Sequence, residues 1–307
     1  MVKTEVKSKI EFLPFTLEDK KFYEDYLFSE YERGCEFSFA NMYLWGQQGF
    51  TVLYDQIVIF SQFGSYFTYQ YPLGDGDKKA AIDAIIADAK EKEIPCRIGG
   101  LSESSKQMLD ELYPGKFSFT AREGSFDYVY AIDDLAELKG KKYHGKRNHL
   151  NRFRENYPDY TVEIIGEENI GKVKEMLADW YRERMAVDPD NDYHMERAAL
   201  EKALRDYREL EMEGLVLMNG GEVLAFTLAS RLRDDTMDVQ FEKARADVNG
   251  AYTAINYEFA RYIRDKYPAI CYLDREEDMG IEGLRKAKRS YHPHHMVTKY
   301  RATLLEE

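Results

Sequence analysis

The same succession of local signals is written twice along this chain, and few folds can use it twice. In the first half, Thr16-Leu17-Glu18-Asp19 has the form of a capping box ahead of a helix reaching about Leu27, and Phe37 to Leu44 reads as a second short helix. The apolar period then shortens to two. Phe50 to Tyr54 and Ile57 to Gln62 read as strands about an Asp55-Gln56 turn, with Tyr66 to Tyr71 as a third strand. A helix from Lys78 to about Glu93, a strand at Cys96 to Ile98, a helix from Ser102 to Tyr113 and an alternating strand through Phe126, Tyr128, Tyr130 and Ile132 complete the half. After a strand at Tyr160 to Ile165, the second half offers helices from Glu168 to Met185 and from Met195 to Tyr207, parted by the polar turn Asp188-Pro-Asp-Asn-Asp192. Leu215 to Met218 and Val223 to Arg231 flank Asn219-Gly220-Gly221, a hairpin signal, and Thr236 to Phe241 is the third strand. A helix from Gly250 to Lys266, a strand at Ile270 to Leu273, a helix from Ile281 to Ser290 and a strand from His295 to Ala302 follow. The repeat is one of architecture, since the two halves do not match residue by residue.

With 44% apolar residues the chain can fill two cores, and disorder is not expected. Met1 to Glu11 is charged and lacks the apolar run and cleavage site of a secretory signal, and no apolar stretch is long enough to cross a membrane. A soluble, cytoplasmic protein is the expectation. Cys35, Cys96 and Cys271 are far apart and read as small core residues rather than as metal or redox pairs. A formal charge of −13 opposes general binding to polyanions. Yet Lys139, Lys141, Lys142, Lys146, Arg147, Arg152 and Arg154 fall in one window without an acid, while Tyr143, Leu150, Phe153 and Tyr157 give that window one apolar face. It reads as an amphipathic helix that either is simply solvated or offers its bases to the phosphates of a lipid head group, a tRNA or a cofactor.

Three runs carry a family resemblance. They are Lys141-Lys-Tyr-His-Gly-Lys-Arg-Asn-His-Leu-Asn-Arg-Phe153, Asp238-Val-Gln-Phe-Glu-Lys243 and Asp278-Met-Gly-Ile-Glu-Gly-Leu-Arg-Lys-Ala-Lys288. Together they resemble the DUF2156 family, similar to the C-terminal catalytic domain of phosphatidylglycerol lysyltransferases, over essentially the whole chain. The resemblance and the repeated layout imply an α+β fold of two tandem GNAT-like domains, each a mixed, mostly antiparallel sheet flanked by helices. The expected division is residues 1–135 and 136–307, the second domain beginning with the basic helix. The resemblance also implies kinship with Fem-type enzymes, which move an amino acid from charged tRNA to an amine or hydroxyl.

Acyl transfer of this kind needs an unprotonated nucleophile, donors for the developing oxyanion and cations for a phosphorylated donor. In a GNAT layout the third or fourth strand splays from its neighbour, and there Gln240 and Glu242, on the face of Asp238, would line the gap, with Glu242 as a base. Lys243 and Lys286 are candidates to pair with an acid or to meet an anionic donor, with Lys286 one helical turn after Glu282. Gly280 and Gly283 would admit a ligand close to the backbone. Lys142, Lys146, Arg147 and Arg152 are the candidate phosphate contacts, and His144, His149 and the Tyr291-His-Pro-His-His295 group lack the spacing of a metal site. The acyl-CoA reading meets a poor phosphate loop in both halves. Arg245-Ala-Asp-Val-Asn-Gly250 has valine where the first glycine belongs, and Leu73-Gly74-Asp75-Gly76-Asp77 carries repelling aspartates. With that reading weakened, the resemblance implies an aminoacyltransferase with aminoacyl-tRNA as donor, no tightly bound cofactor, and a small-molecule, peptide or lipid-head-group acceptor. A CoA-dependent N-acetyltransferase and an inactive GNAT-fold module for an anionic ligand are the alternatives.

Overall fold

A computed structural model describes residues 10–27, 34–189 and 193–305. The chain divides into two units, residues 1–122 with 298–307 and residues 123–297. The first contains β1 (Leu13–Pro14), α1 (Lys20–Leu27), α2 (Phe39–Trp45), β2 (Gln48–Leu53), β3 (Gln56–Phe63), β4 (Tyr66–Gln70), α3 (Lys78–Glu91), β5 (Arg97–Leu101), α4 (Glu103–Leu112) and β6 (Phe117–Ala121). The second runs through β7 (Asp127–Ala131), α5 (Ile132–Glu137), α6 (His144–Asn156), β8 (Thr161–Ile164), α7 (Ile170–Val187), α8 (His194–Arg205), β9 (Glu213–Asn219), β10 (Glu222–Arg233) and β11 (Thr236–Ala244). It continues with α9 (Ala251–Lys266), β12 (Tyr272–Asp274), α10 (Glu282–Arg289) and β13 (His295–Val297), and β14 (Tyr300–Leu304) returns to the first unit.

Each unit has a seven-stranded sheet, in the order β1-β2-β3-β4-β5-β14-β6 in the first and β13-β7-β12-β11-β10-β9-β8 in the second. All neighbours are antiparallel except β4 with β5 and β11 with β12, so both sheets have their one parallel step at the same place. The sixth strand of the first sheet is the last of the chain, and the matching strand of the second sheet is β7. This differs from the expected division at 135/136: β7 and α5 belong to the second unit, and the single strand expected from His295 to Ala302 is two strands in different units. Sequence reading also omitted β6 and α5. Part of the turn from Asp188 to Asp192 lies outside the described residues.

Local chemistry accounts for most elements. Thr16 donates its backbone N–H to the Asp19 carboxylate at 2.8 Å, as the capping signal requires. Gly220 and Gly221 both take positive φ, so β9 and β10 close in a two-residue turn with Asn219 opposite Glu222. The turn between β2 and β3 is Tyr54-Asp55, both left-handed, one residue earlier than expected, because Gln56 is a fully buried strand residue that donates to the Gly74 carbonyl at 2.7 Å. The Gly-Asp loop packs on that turn. A Cβ on Gly76 would come within 2.0 Å of the Tyr54 carbonyl oxygen, and Asp77 caps α3 by accepting from the Ala80 N–H at 2.9 Å. Gly74, Gly76 and Asp77 of that loop are thus explained by folding. Cys35 and Cys96 are buried as expected, whereas Cys271 is exposed because it lies just ahead of β12.

In the second unit, Ala254, Ile255, Phe259 and Ile263 recur at helical spacing and turn one stripe of α9 onto Leu135 of α5, Leu150 and Phe153 of α6, and Leu217, Ala225 and Leu273 of the sheet. The basic helix is α6, preceded by a 3-10 turn at Lys141–Tyr143, and its apolar face packs as its periodicity implies. It crosses α9 so closely that Gly250, at φ +87°, has the His149 carbonyl oxygen 2.5 Å from where a Cβ would stand. Farther on, Asp278 is fully buried and accepts from Arg285 Nε at 2.8 Å, Tyr128 Oη at 2.7 Å and the Gly280 N–H at 2.8 Å. The Arg285 hydrogen bond holds this carboxyl below the usual carboxylate range against the opposing effect of burial, helped by Tyr128 and Gly280.

Two stability measurements follow. Gly250→Ala combines a forbidden φ with a backbone clash and is expected to cost about 2–4 kcal/mol in urea unfolding. Because the Asp278 carboxyl titrates lower in the folded chain, its stabilisation is complete above the unfolded carboxylate pKa of about 3.9 and is lost as pH falls below that value. Asp278→Asn should therefore lower the unfolding midpoint at pH 7 and flatten the acid limb of stability; an unchanged limb would exclude the assignment.

Candidate active site

β11 and β12 pair only from Thr236–Tyr272 to Asp238–Asp274; beyond that, β11 continues to Ala244 while the chain leaves β12. The two strands thus open a gap at their C-terminal ends. Opposite Leu228 and Ser230, β11 places Phe241 and Asp238, one residue too many, which is a β-bulge. Gln240 stays with Asp238, donating to Asp238 Oδ2 and Ser230 Oγ at 2.8 Å each. Glu242 does not share their face as strict alternation implied: past the bulge it meets Arg275 in a 2.8 Å ion pair, with only 10% of its side chain exposed. Lys243 turns the other way, onto the Trp180 ring at 4.0 Å and Glu196 of α8 at 2.6 Å, and burial lowers its pKa despite the acid.

Arg275 begins the loop after β12, and α10 fixes that loop. The buried Lys288 ammonium donates to the carbonyls of Arg275, Glu276 and Glu277 at 2.5, 3.1 and 2.6 Å, with Glu276 held at positive φ. One nitrogen of Arg275 holds Glu242; the other, Nη1, is buried without a hydrogen-bond partner. Its guanidinium lies over the Tyr291 ring at 5.1 Å, and the Lys146 ammonium lies over the same ring at 3.6 Å. Burial first, and then the nearby Arg275 charge, bring the Lys146 pKa down to about 8, against the pull of Glu242. Two cations therefore converge on one carboxylate in a largely desolvated place, an excess of positive charge suited to a developing oxyanion.

Lys146 also lines an open cleft of about 500 Å³ with His149, Arg184, Arg245, Asn249, and Tyr252 at the start of α9. The first-turn amides of α9 have no intrahelical acceptors, and Gly250 supplies no side-chain cap. The cleft uses the loop from Arg245 to Gly250, but Val248 is buried in the core, and Gly250 is required by α6. Of the residues nominated from sequence, the structure brings Glu242 and Lys146 together and leaves the rest apart. Lys142 is exposed and pairs with Asp134 at 3.0 Å, Arg147 donates to the Leu138 and Gly140 carbonyls that end α5, and Arg152 is exposed. Glu282, Gly283 and Lys286 lie exposed on α10, and Gly280, at φ +77°, serves the Asp278 turn. Sequence reasoning missed Arg275, Tyr291 and Lys288. A signal for Lys288 existed: it follows Leu284 by four residues and precedes Tyr291 by three, on the inner face of α10, whereas Lys286 falls on the outer one.

The chain matches the family model described as phosphatidylglycerol lysyltransferase, C-terminal, over residues 29–303. A solved structure of a conserved protein of unknown function from Bacteroides thetaiotaomicron VPI-5482 is 37% identical, with coverage of 96% of this chain and 100% of that one and a TM-score of 0.90. L-PGS from Bacillus licheniformis is 14% identical, covering 98% and 95% of the two chains at a TM-score of 0.69, and FemX is 11% identical, covering 96% and 98% at 0.59. An uncharacterised protein of Mycoplasmoides gallisepticum (strain R(low)) is 24% identical over 182 residues, 58% of this chain and 56% of that protein, so the chain spans little more than half of that relative's length. The fold shared with the solved structures is the tandem GNAT acyltransferase fold. By the extent of the family match, the chain belongs to the family of phosphatidylglycerol lysyltransferase C-terminal domains.

Proposed function

We propose that this chain transfers an aminoacyl group from a charged tRNA to an amine or hydroxyl acceptor. Family and fold support an acyltransferase of the aminoacyl type. The observation that carries the finer reading is the convergence of Lys146 and the unpartnered Nη1 of Arg275 beside Glu242. In this reading the acceptor attacks the ester carbonyl, and Lys146 stabilises the oxyanion, with the buried charge of Arg275 beside it adding to the local positive potential. Glu242 takes the proton the acceptor loses, and as the ester C–O bond breaks that proton passes to the departing ribose oxygen. His149, Arg184 and Arg245 receive donor phosphates, while the exposed bases of α6, Lys142 and Arg152 among them, follow the RNA backbone. Lys286 and Glu282 take no part. Among the described residues no helix is long and apolar enough to cross a membrane. The lipid head group stays beside peptides and small amines as an acceptor class.

Transfer of a labelled amino acid from a charged tRNA pool tests the reading. Lys146→Met should lower kcat by about 10²–10³-fold, the usual cost of removing an oxyanion donor, with the circular dichroism spectrum unchanged. If the protonated amine is the working form, kcat with a hydroxyl acceptor falls as pH rises through about 8, where Lys146 loses its charge. Lys146→Arg should remove that alkaline limb. No aminoacyl product from any charged tRNA, or an undiminished rate in Lys146→Met, would defeat the proposal.

A further inference from the structure

The Lys146 ammonium makes no hydrogen bond and no ion pair among the described residues; what it meets is the ring of Tyr291, whose centre is 3.6 Å away. That ring is held by several elements at once. The Tyr291 N–H donates to the Lys288 carbonyl of α10 at 3.1 Å, and its own carbonyl accepts from Tyr143 Oη, just ahead of α6, at 2.9 Å. The Tyr291 hydroxyl donates to Thr253 Oγ1 of α9 at 3.4 Å, and the Tyr130 ring meets it edge-on, with centroids 6.3 Å apart and planes at 83°. Only 5% of the residue is exposed, so close packing leaves the ring one position.

The face of an aromatic ring attracts an ammonium group and does nothing comparable for a neutral amine, and the attraction grows where water is excluded. Here little else favours the charge. Arg275 lies over the same ring at 5.1 Å and repels Lys146, while Glu242 is engaged by Arg275 in the 2.8 Å ion pair. We infer that Tyr291 is the positioning residue of this site: its ring keeps the Lys146 side chain in place and charged, without touching substrate itself. The consequence for rate rests on the oxyanion role given to Lys146 above; the contact with Lys146 rests on geometry alone.

Tyr291→Phe and replacement of the same residue by trifluorophenylalanine test this, because both keep the shape of the ring and the second withdraws electrons from its face. Neither alters the other charged groups around Lys146, which are Arg275, Glu242 and, along the cleft, His149, Arg184, Arg245 and Asp247. NMR titration of the intact chain with isotope-labelled lysines reads Lys146 directly, its resonance being the one that Lys146→Arg removes. Lys146 should titrate near pH 8, and Tyr291→Phe should leave that midpoint in place. The fluorinated ring should lower it by about half to one and a half pH units, the span of a cation–π contact. In transfer to a hydroxyl acceptor, the alkaline limb of kcat should move down with it while the donor KM stays unchanged. A residue that only filled space would leave both the midpoint and the limb where they were, and that result overturns the inference. If transfer occurs and depends on Lys146 but the midpoint ignores the fluorinated ring, the positioning role fails and the functional reading stands. If the midpoint moves and no charged tRNA supports transfer, the positioning role stands and the functional reading fails.

Discussion

The ion pair between Glu242 and Arg275 is the contact on which the rest of the candidate site depends. Two desolvated charges repay their loss of hydration only when they are well placed, and here one carboxylate serves an arginine and moderates the cost of a second cation on Lys146. Three unrelated features make that placement available. The bulge in β11 turns Glu242 away from Asp238, the early parting of β12 from β11 opens the space, and Lys288 grips three successive carbonyls of the loop that begins with Arg275. None would suffice alone, because each fixes a different partner of the same cluster.

The glycines and charges along the chain divide accordingly. Gly76 and Gly250 sit where another backbone passes within reach of a Cβ, so their presence reports packing rather than ligand approach. Arg147, which looked like a phosphate ligand, spends its donors on the carbonyls that close α5. Lys146, one residue earlier, faces Tyr291 instead. Adjacent bases on one helix thus serve folding and the cleft respectively, a division that follows from the 100° step between them.

Most of the fold was legible because its signals are local. Alternating aromatics, the Asn-Gly-Gly turn and the apolar stripes of α7 and α9 each declare an element within a dozen residues. The candidate site was legible only in part. Glu242 was found because it alternates along a strand beside a family motif, but its true face was hidden, since a one-residue bulge leaves no mark in the periodicity. Arg275 carries no local signal of its role, because its importance comes from a partner 33 residues earlier. The domain limits were misplaced for a similar reason. A strand's composition announces that it is a strand and says nothing about which sheet will take it.

That last point has a temporal consequence. The first sheet receives its sixth strand from Tyr300–Leu304, so β5 and β6 remain without their shared neighbour until the chain has been made past the second unit. The second sheet has all seven of its strands once His295–Val297 has been made. On an emerging chain, the unit that is synthesised first is therefore the one whose sheet is completed last, and its open strand edges must wait exposed while the later unit closes.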